Sequence, residues 1–263
     1  MTVKISLPNP AIFQFPPSNE PGTVPPPAPA SILAASPFFI PTSTFYAALD
    51  MRVPVTIGCV YVVAVMMLNS YNQSYGNKPW KISKTRVFFW FVVAHNALLA
   101  VYSGWTFVGL LGALQRTVSS PLGSAGLAGT VDSLCKMHGV SGLGNGISYN
   151  RTVSKWISDS RLANPLITTG MPDPTNLGRL WNEGLAFYGW IFYLSKFYEV
   201  LDTTIIIAKG KRSSIIQTYH HAGVMMCMWA GIRYMSPPVW MFVLVNSGIH
   251  ALMVCTCLFH ISS

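Results

Sequence analysis

Lys196, Glu199, Asp202 and Thr203 stand together in the run KFYEVLDT, and the pair His220-His221 follows in QTYHH, both inside long apolar stretches. A charged side chain at the centre of a membrane helix costs about 2.5–3.5 kcal/mol on insertion scales, so such a cluster needs partners or a water-filled cavity and points into the protein. Imidazole works near neutral pH as a nucleophile or general base, and the hydrogen bond at its second nitrogen decides which nitrogen is free. Helical spacing arranges the polar residues on single faces. Lys196, Glu199 and Thr203 stand at i, i+3 and i+7; Gln217, His220 and His221 at i, i+3 and i+4; Asn246 and His250 at i and i+4. Each helix therefore presents one polar stripe inward.

The composition calls for a membrane around these helices. Hydrophobic residues make up 51% of the chain and charged residues 10%, and mean hydropathy is +0.41; a soluble domain carries about 25% charged residues. The net charge of +9 does not indicate a nucleic-acid partner, because the basic residues form no contiguous run with aromatics interleaved. Cys59, Cys135, Cys227, Cys255 and Cys257 include no CxxC pair, and most lie in or beside apolar segments, where a free thiol packs as a small hydrophobe. Met225, Met226, Met228 and Trp229 read as packing or lipid-facing surface.

Residues 1–50 are dense in proline, as in PPSNEPGTVPPPAPA, and have neither a basic n-region nor a cleavage site after a short apolar core; they read as a disordered tail without a signal peptide. Five spans are expected in residues 51–263, at about 52–69, 86–112, 184–208, 214–232 and 237–260, an all-α polytopic membrane domain with a long loop at about 113–183. Lys78, Lys81, Lys84 and Arg86 lie around one interhelical loop, and Lys209, Lys211 and Arg212 form another. Both loops fall on one face if every span crosses once, and the positive-inside rule makes that face cytosolic. The N-terminal tail and the long loop are then lumenal. Asn150-Arg151-Thr152 is a sequon on the lumenal side, and Asn72-Gln73-Ser74 one on the cytosolic side.

At about 1.5 Å of rise per residue, Asp202 and His220 lie roughly 10–12 Å below the cytosolic boundary, counted from Lys209 and Arg212. His250, counted from Pro238 on a helix entering from the lumen, lies about 18 Å into a core about 30 Å thick. The three positions converge on one level.

This set resembles the ELO family of very-long-chain fatty acid elongases, the condensing enzymes of the endoplasmic reticulum membrane. The resemblance covers roughly residues 50–253. It is carried by KFYEVLDT, which fits KxxExxDT, by the basic turn KGKR, by the histidine box QTYHH, and by NSGIHALM, which fits N-S-x-x-H-x-x-M. FVVAHNALLAVYSGW also looks like the family's second helix. Two departures stand out. Gln217 holds the position of the first histidine of HxxHH, and QxxHH is similar to the variant in elongases of lower eukaryotes that act on polyunsaturated chains. After Met253 the family continues with a tyrosine-rich helix end and two further helices of a seven-helix barrel around an acyl tunnel, whereas here the chain reads VCTCLFHISS, so a truncated C-terminus is expected.

The resemblance implies condensation of malonyl-CoA with a long-chain acyl-CoA to give 3-oxoacyl-CoA, CoA and carbon dioxide, with these two thioesters as substrates and neither cofactor nor metal. Cys227 lies off the face of the dyad, so histidine replaces the cysteine of soluble condensing enzymes. In this reading His220 attacks the acyl thioester, His221 and His250 orient malonyl-CoA and stabilise its enolate, and Asp202 or Asn246 holds the imidazole tautomers. Gln217 donates to a carbonyl, Lys196, Glu199 and Thr203 complete the binding wall, and Lys211 and Arg212 meet CoA phosphates at the cytosolic mouth. Lys196–Glu199 as a buried ion pair that only locks helices is an equally simple reading. His95 reads as a packing residue outside the site. The implied partners are membrane lipid and the reductase, dehydratase and enoyl reductase that complete the cycle. A non-catalytic elongase remnant is one alternative; a histidine-box desaturase is another, although such sites use about eight histidines and this chain has six.

Overall fold

The computed structural model describes residues 14–28, 36–158 and 169–262, with side chains described as far as Met253 in the last helix. Residues 1–13, 29–35 and 159–168, and the side chains of Cys255, Cys257 and His260, lie outside it.

The chain is predominantly helical. Helices α2 (Arg52–Ser74) and α3 (Arg86–Thr117) are each long and apolar enough to cross a membrane. At 1.5 Å per residue α3 is about 48 Å long and outreaches a hydrocarbon core of about 30 Å. Helices α5 (Ala186–Tyr198), α6 (Val200–Ala208), α7 (Ile215–Arg233) and α8 (Val239–Ser262) complete the bundle. Helix α8 packs along α3, and α7 packs against both α2 and α5. Hydroxyl caps start two of these helices: Thr85 Oγ1 accepts from Phe88 N at 3.2 Å, and Ser214 Oγ from Gln217 N at 3.1 Å. The outer faces are apolar, with Val63, Met66 and Met67 of α2, Val87, Trp90 and Val101 of α3, and Ile249 and Leu252 of α8 exposed. Exposed apolar stripes around buried charged groups suit a hydrocarbon solvent.

Close approach of α5 to α3 depends on Gly109, where a Cβ would overlap the Tyr188 ring. The segment expected as one helix over 184–208 departs from that expectation in two places. It opens with a π-helical turn, Trp181–Leu185, and it breaks at Glu199 between α5 and α6. At the break the ladder tightens, with Asp202 N bonding Glu199 O at 3.1 Å. Ser195 Oγ meanwhile donates back to the Phe192 carbonyl at 2.8 Å, competing with the ladder in the preceding turn.

At the end of the bundle that carries the basic turn, Asn72 supplies partners that the end of α6 lacks. Its Nδ2 donates to the Ile207 carbonyl at 2.7 Å, and its Oδ1 accepts from the Trp80 indole at 2.7 Å. Trp80 N then bonds the Ala208 carbonyl at 3.0 Å. Asn69 and Ser213 exchange a second pair, each at 3.1 Å. These bonds satisfy carbonyls that α6 leaves open at its C-terminus and tie it to α2. An Asn72→Leu variant leaves the Trp80 indole N–H unpaired and the Ile207 carbonyl with only its bond from Gly210 N, and is expected to lose about 1–3 kcal/mol. The check is a lower midpoint for loss of the monodisperse peak on heating in detergent, with no change on Gln73→Ala, an exposed neighbour.

At the opposite end the chain departs from the expected disordered tail and long loop. Residues 14–28 and 36–50 pack onto the bundle. Trp181 Nε1 donates to the Val24 carbonyl at 2.8 Å, Arg233 reaches the Asn19 and Pro21 carbonyls, and Tyr234 Oη reaches the Ser18 carbonyl at 2.8 Å. Helix α1 (Thr42–Ala48) buries Phe45, stacked on Trp190 with centroids 5.7 Å apart. Trp190, Tyr193 and Trp229 each donate to a carbonyl of α1 or the residue after it: Phe45, Ala48 and Leu49. The proline-rich stretch offers free carbonyls to Trp181, Arg233 and Tyr234, while Trp190, Tyr193 and Trp229 hold the C-terminal end of α1.

The region expected as loop carries α4 (Gly126–Cys135) and a three-stranded antiparallel sheet of β1 (His138–Gly139), β2 (Gly146–Asn150) and β3 (Lys155–Ser158). The fold is thus not all-α. Buried Arg179 anchors this region, donating to Asp132 Oδ2 at 2.7 Å and to the Val140 and Gly142 carbonyls. His138 sits between Trp156 and Trp181 with ring centroids at 5.1 and 5.8 Å, and neither ring nitrogen has a partner.

Burial holds the His138 pKa down at about 3, against an ordinary value near 6.5. Unfolded chains bind this proton below pH 6.5 and the folded chain does not until about pH 3. The stabilising contribution is therefore full above pH 6.5 and falls across that window, by at most about 1.4 kcal/mol per pH unit. A His138→Phe variant is expected to flatten that slope, read from tryptophan fluorescence during denaturant unfolding at pH 7 and pH 5; equal slopes in both proteins would contradict it.

Candidate functional site

The KFYEVLDT residues form two buried pairs. Lys196 Nζ donates to Glu199 Oε1 at 2.5 Å and to Asn246 Oδ1 at 3.0 Å, and it lies 3.9 Å over the Phe192 ring. Ser195 Oγ, whose proton goes to the Phe192 carbonyl, also lies 3.3 Å from the same Glu199 oxygen. These contacts link α5 to α8. Thr203 is buried, with its hydroxyl 2.9 Å from that of Tyr61 on α2. Two turns of chemistry-bearing sequence thus touch α8 and α2.

Asp202 has a partner outside the expected set. Its Oδ1 is 2.8 Å from His95 Nε2, and His95 Nδ1 is 3.0 Å from the Tyr198 hydroxyl. One tautomer satisfies both: Nε2–H donates to the carboxylate while Nδ1 accepts from Tyr198. His95 is buried, whereas the Asp202 side chain is 30% exposed. His95, read from sequence as a packing residue, is buried and hydrogen-bonded to Asp202 and Tyr198. No periodic signal could have shown it, because α3 meets α6 only through the tertiary fold.

The histidines lie on the other wall. His220 and His221 have ring centroids 5.7 Å apart with planes at 74°, and His221 stands edge-on to Tyr61 at 6.2 Å. His220 is exposed and His221, Gln217, Asn246 and His250 are half-buried. His221 and His250 both lie within electrostatic reach of Lys196, Glu199, Asp202 and His220.

The expected tautomer holders are engaged elsewhere, Asp202 with His95 and Asn246 with Lys196. Among the described residues, the imidazoles of His220, His221 and His250 make no hydrogen bond to protein. They are free to take a ligand. Gln217 has a local function as well, as the third residue of the capping turn opened by Ser214, where its backbone N–H is bonded.

Lys211 and Arg212 are exposed in the α6–α7 turn. Arg212 lines a cavity of about 520 Å³ between α2 and α7, with Asn69, Gln73 and Tyr219. A second, largely apolar cavity of about 300 Å³ follows α2 deeper, past Tyr61, Phe197, Val200 and Thr204. Cations thus stand at the rim of an apolar surface. Among the described residues no three of His, Cys, Asp and Glu come together in a way that would hold a metal ion.

No solved structure matches the chain. Known proteins match parts of the chain. The chain is 36% identical to "Very long chain fatty acid elongase 3" of Homo sapiens over 72 residues, 27% of each chain. It is 28% identical over 78 residues to "Fatty acid elongase 2" of Trypanosoma brucei brucei, covering 30% of this chain and 29% of that one. Against "Fatty acid elongase 3" of Trypanosoma cruzi it is 29% identical over 114 residues, 36% of this chain and 38% of the other. The matched part spans well under two thirds of each relative's length. The model of the ELO (GNS1/SUR4) family matches residues 46–255, which take in the α5–α6 network, the α7 dyad and the α8 stripe together; the chain belongs to that family.

Proposed function

We propose that the chain is a membrane condensing enzyme of fatty acid elongation, an acyltransferase joining malonyl-CoA to a long-chain acyl-CoA. The observation that carries this reading is the set of imidazoles on α7 and α8 without a hydrogen bond among the described residues, within electrostatic reach of the buried Lys196–Glu199 pair and of Asp202, which His95 holds. A role in fatty acid elongation is supported by the family.

In the proposed reaction a His220 ring nitrogen attacks the acyl thioester carbonyl, and the C–S bond breaks to release CoA, whose thiolate takes up a proton. Malonyl-CoA then loses carbon dioxide, and its enolate carbon attacks the acyl group on His220. The new carbon–carbon bond forms, the bond to His220 breaks, and 3-oxoacyl-CoA leaves. His221 and His250 orient the malonyl thioester and donate to the enolate oxygen. Asp202, held by His95, positions bound groups at the groove. Lys196, Glu199 and Thr203 keep the wall rigid, and Gln217 donates to a carbonyl without moving a proton. Lys211 and Arg212 meet the phosphates of CoA at the rim.

The same reading places the enzyme in the endoplasmic reticulum membrane with five spans and the basic loops in the cytosol, contributing to a seven-helix barrel. Polyunsaturated acyl chains are the substrate class that Gln217 suggests. The remaining steps of the cycle fall to separate reductase, dehydratase and enoyl reductase proteins. Labelled malonyl-CoA incorporated into 3-oxoacyl product by microsomes carrying this chain supports the reading; absence of product with every acyl-CoA supplied overturns it in favour of a non-catalytic elongase relative.

A further inference from the structure

We infer that Asn150 is an acceptor for N-linked glycan on the β2–β3 hairpin. The sequence holds two sequons, Asn72-Gln73-Ser74 and Asn150-Arg151-Thr152, and the fold treats them in opposite ways. Asn72 is buried, and both ends of its amide are committed to Ile207 and Trp80. Asn150 closes β2, paired with Lys155 across the turn, and residues Arg151 to Lys155 are exposed. Its Oδ1 accepts from the Thr152 backbone N–H at 2.9 Å, an Asx turn that folds the threonine back toward the asparagine side chain. Among the described residues its Nδ2 donates to no protein atom. The hairpin is also far in sequence from both flanking apolar segments, which end at Thr117 and resume at Trp181. A membrane-bound transferase therefore has room to reach it.

In the modification, Asn150 Nδ2 forms a bond to the anomeric carbon of an oligosaccharide carried on a lipid pyrophosphate. The bond from that carbon to the pyrophosphate oxygen breaks, the lipid pyrophosphate leaves, and the amide loses one proton. The inference rests on the proposed orientation, which puts the hairpin in the lumen and Asn72 in the cytosol, and is independent of the condensation chemistry.

The test is expression of the full chain in a eukaryotic cell, with gel mobility read before and after peptide N-glycosidase. The expected result is a downward shift of one glycan, lost in Asn150→Gln and in Thr152→Ala, and kept in Thr152→Ser and Asn72→Gln. An unshifted band overturns the inference, as does a shift that survives Asn150→Gln. Trypsin cleavage at the hairpin in sealed microsomes separates the two ways of failing: a cut there means that the orientation is wrong, and protection means that a lumenal sequon is left unused. Elongation by the Asn150→Gln variant is measured in the same membranes, so loss of the glycan is distinguished from failure of the proposed function.

Discussion

Replacing His220 with alanine is expected to lower product formation by on the order of 10³-fold or more, because in the proposed chemistry its nitrogen carries the acyl group between the two half-reactions. The residue is exposed and makes no hydrogen bond, so the folded protein should be recovered in normal yield. Its position makes the distinction sharp, since an exposed imidazole contributes little to packing. His221→Ala should also reduce turnover, by a smaller factor, with the deficit falling on the step that uses malonyl-CoA. A His221→Ala protein should therefore still release CoA from acyl-CoA in a single turnover, while a His220→Ala protein should not. Release of CoA by the His220→Ala variant would move the nucleophile elsewhere.

The second large effect concerns Lys196 and Glu199, for which a scaffold role and a binding role make different demands. Lys196→Met leaves the Glu199 carboxylate buried with only Ser195 beside it, and breaking a buried pair in this way costs about 3–5 kcal/mol. Replacing both residues with methionine removes the charges together, and such replacements are often neutral or stabilising. The double variant should regain thermal stability in detergent relative to Lys196→Met and still lack elongation activity, because the polar wall facing the dyad has gone. Recovery of activity along with stability would show the pair to be a helix lock and nothing more.

The spacing of the candidate site's polar groups was legible in the sequence. The intervals in KFYEVLDT, QTYHH and NSGIH place polar groups on single faces, and buried charge in an apolar segment must find a partner, so convergence follows from spacing and depth. Pairing within the convergence does not. Asp202 meets His95 and Asn246 meets Lys196 because α3 and α8 pack where they do, and sequence separation of that size carries no periodic trace. The break at Glu199 was hidden for a related reason, since an apolar run reads as continuous helix until a side chain such as Ser195 bonds back to the ladder.

The N-terminal half of the story went the other way. Proline-rich composition signals the lack of a self-sufficient core, and residues 14–28 have none; they are ordered by donors on the bundle, Trp181, Arg233 and Tyr234. The small sheet was equally concealed, because its strands are short and Arg179, far along the chain, holds the loops around it. Exposed apolar faces on α2, α3 and α8 agree with the composition, which is why the membrane reading needed no tertiary information.

The measurement that tests the central claim most directly is a single-turnover experiment on the purified 263-residue chain with radiolabelled acyl-CoA and no malonyl-CoA, followed by proteolysis and mass spectrometry. Label retained on the peptide that contains His220, discharged as 3-oxoacyl-CoA once malonyl-CoA is added, is the predicted result. Acyl-CoA left intact, with no label on the protein and no 3-oxoacyl product after malonyl-CoA, would contradict it.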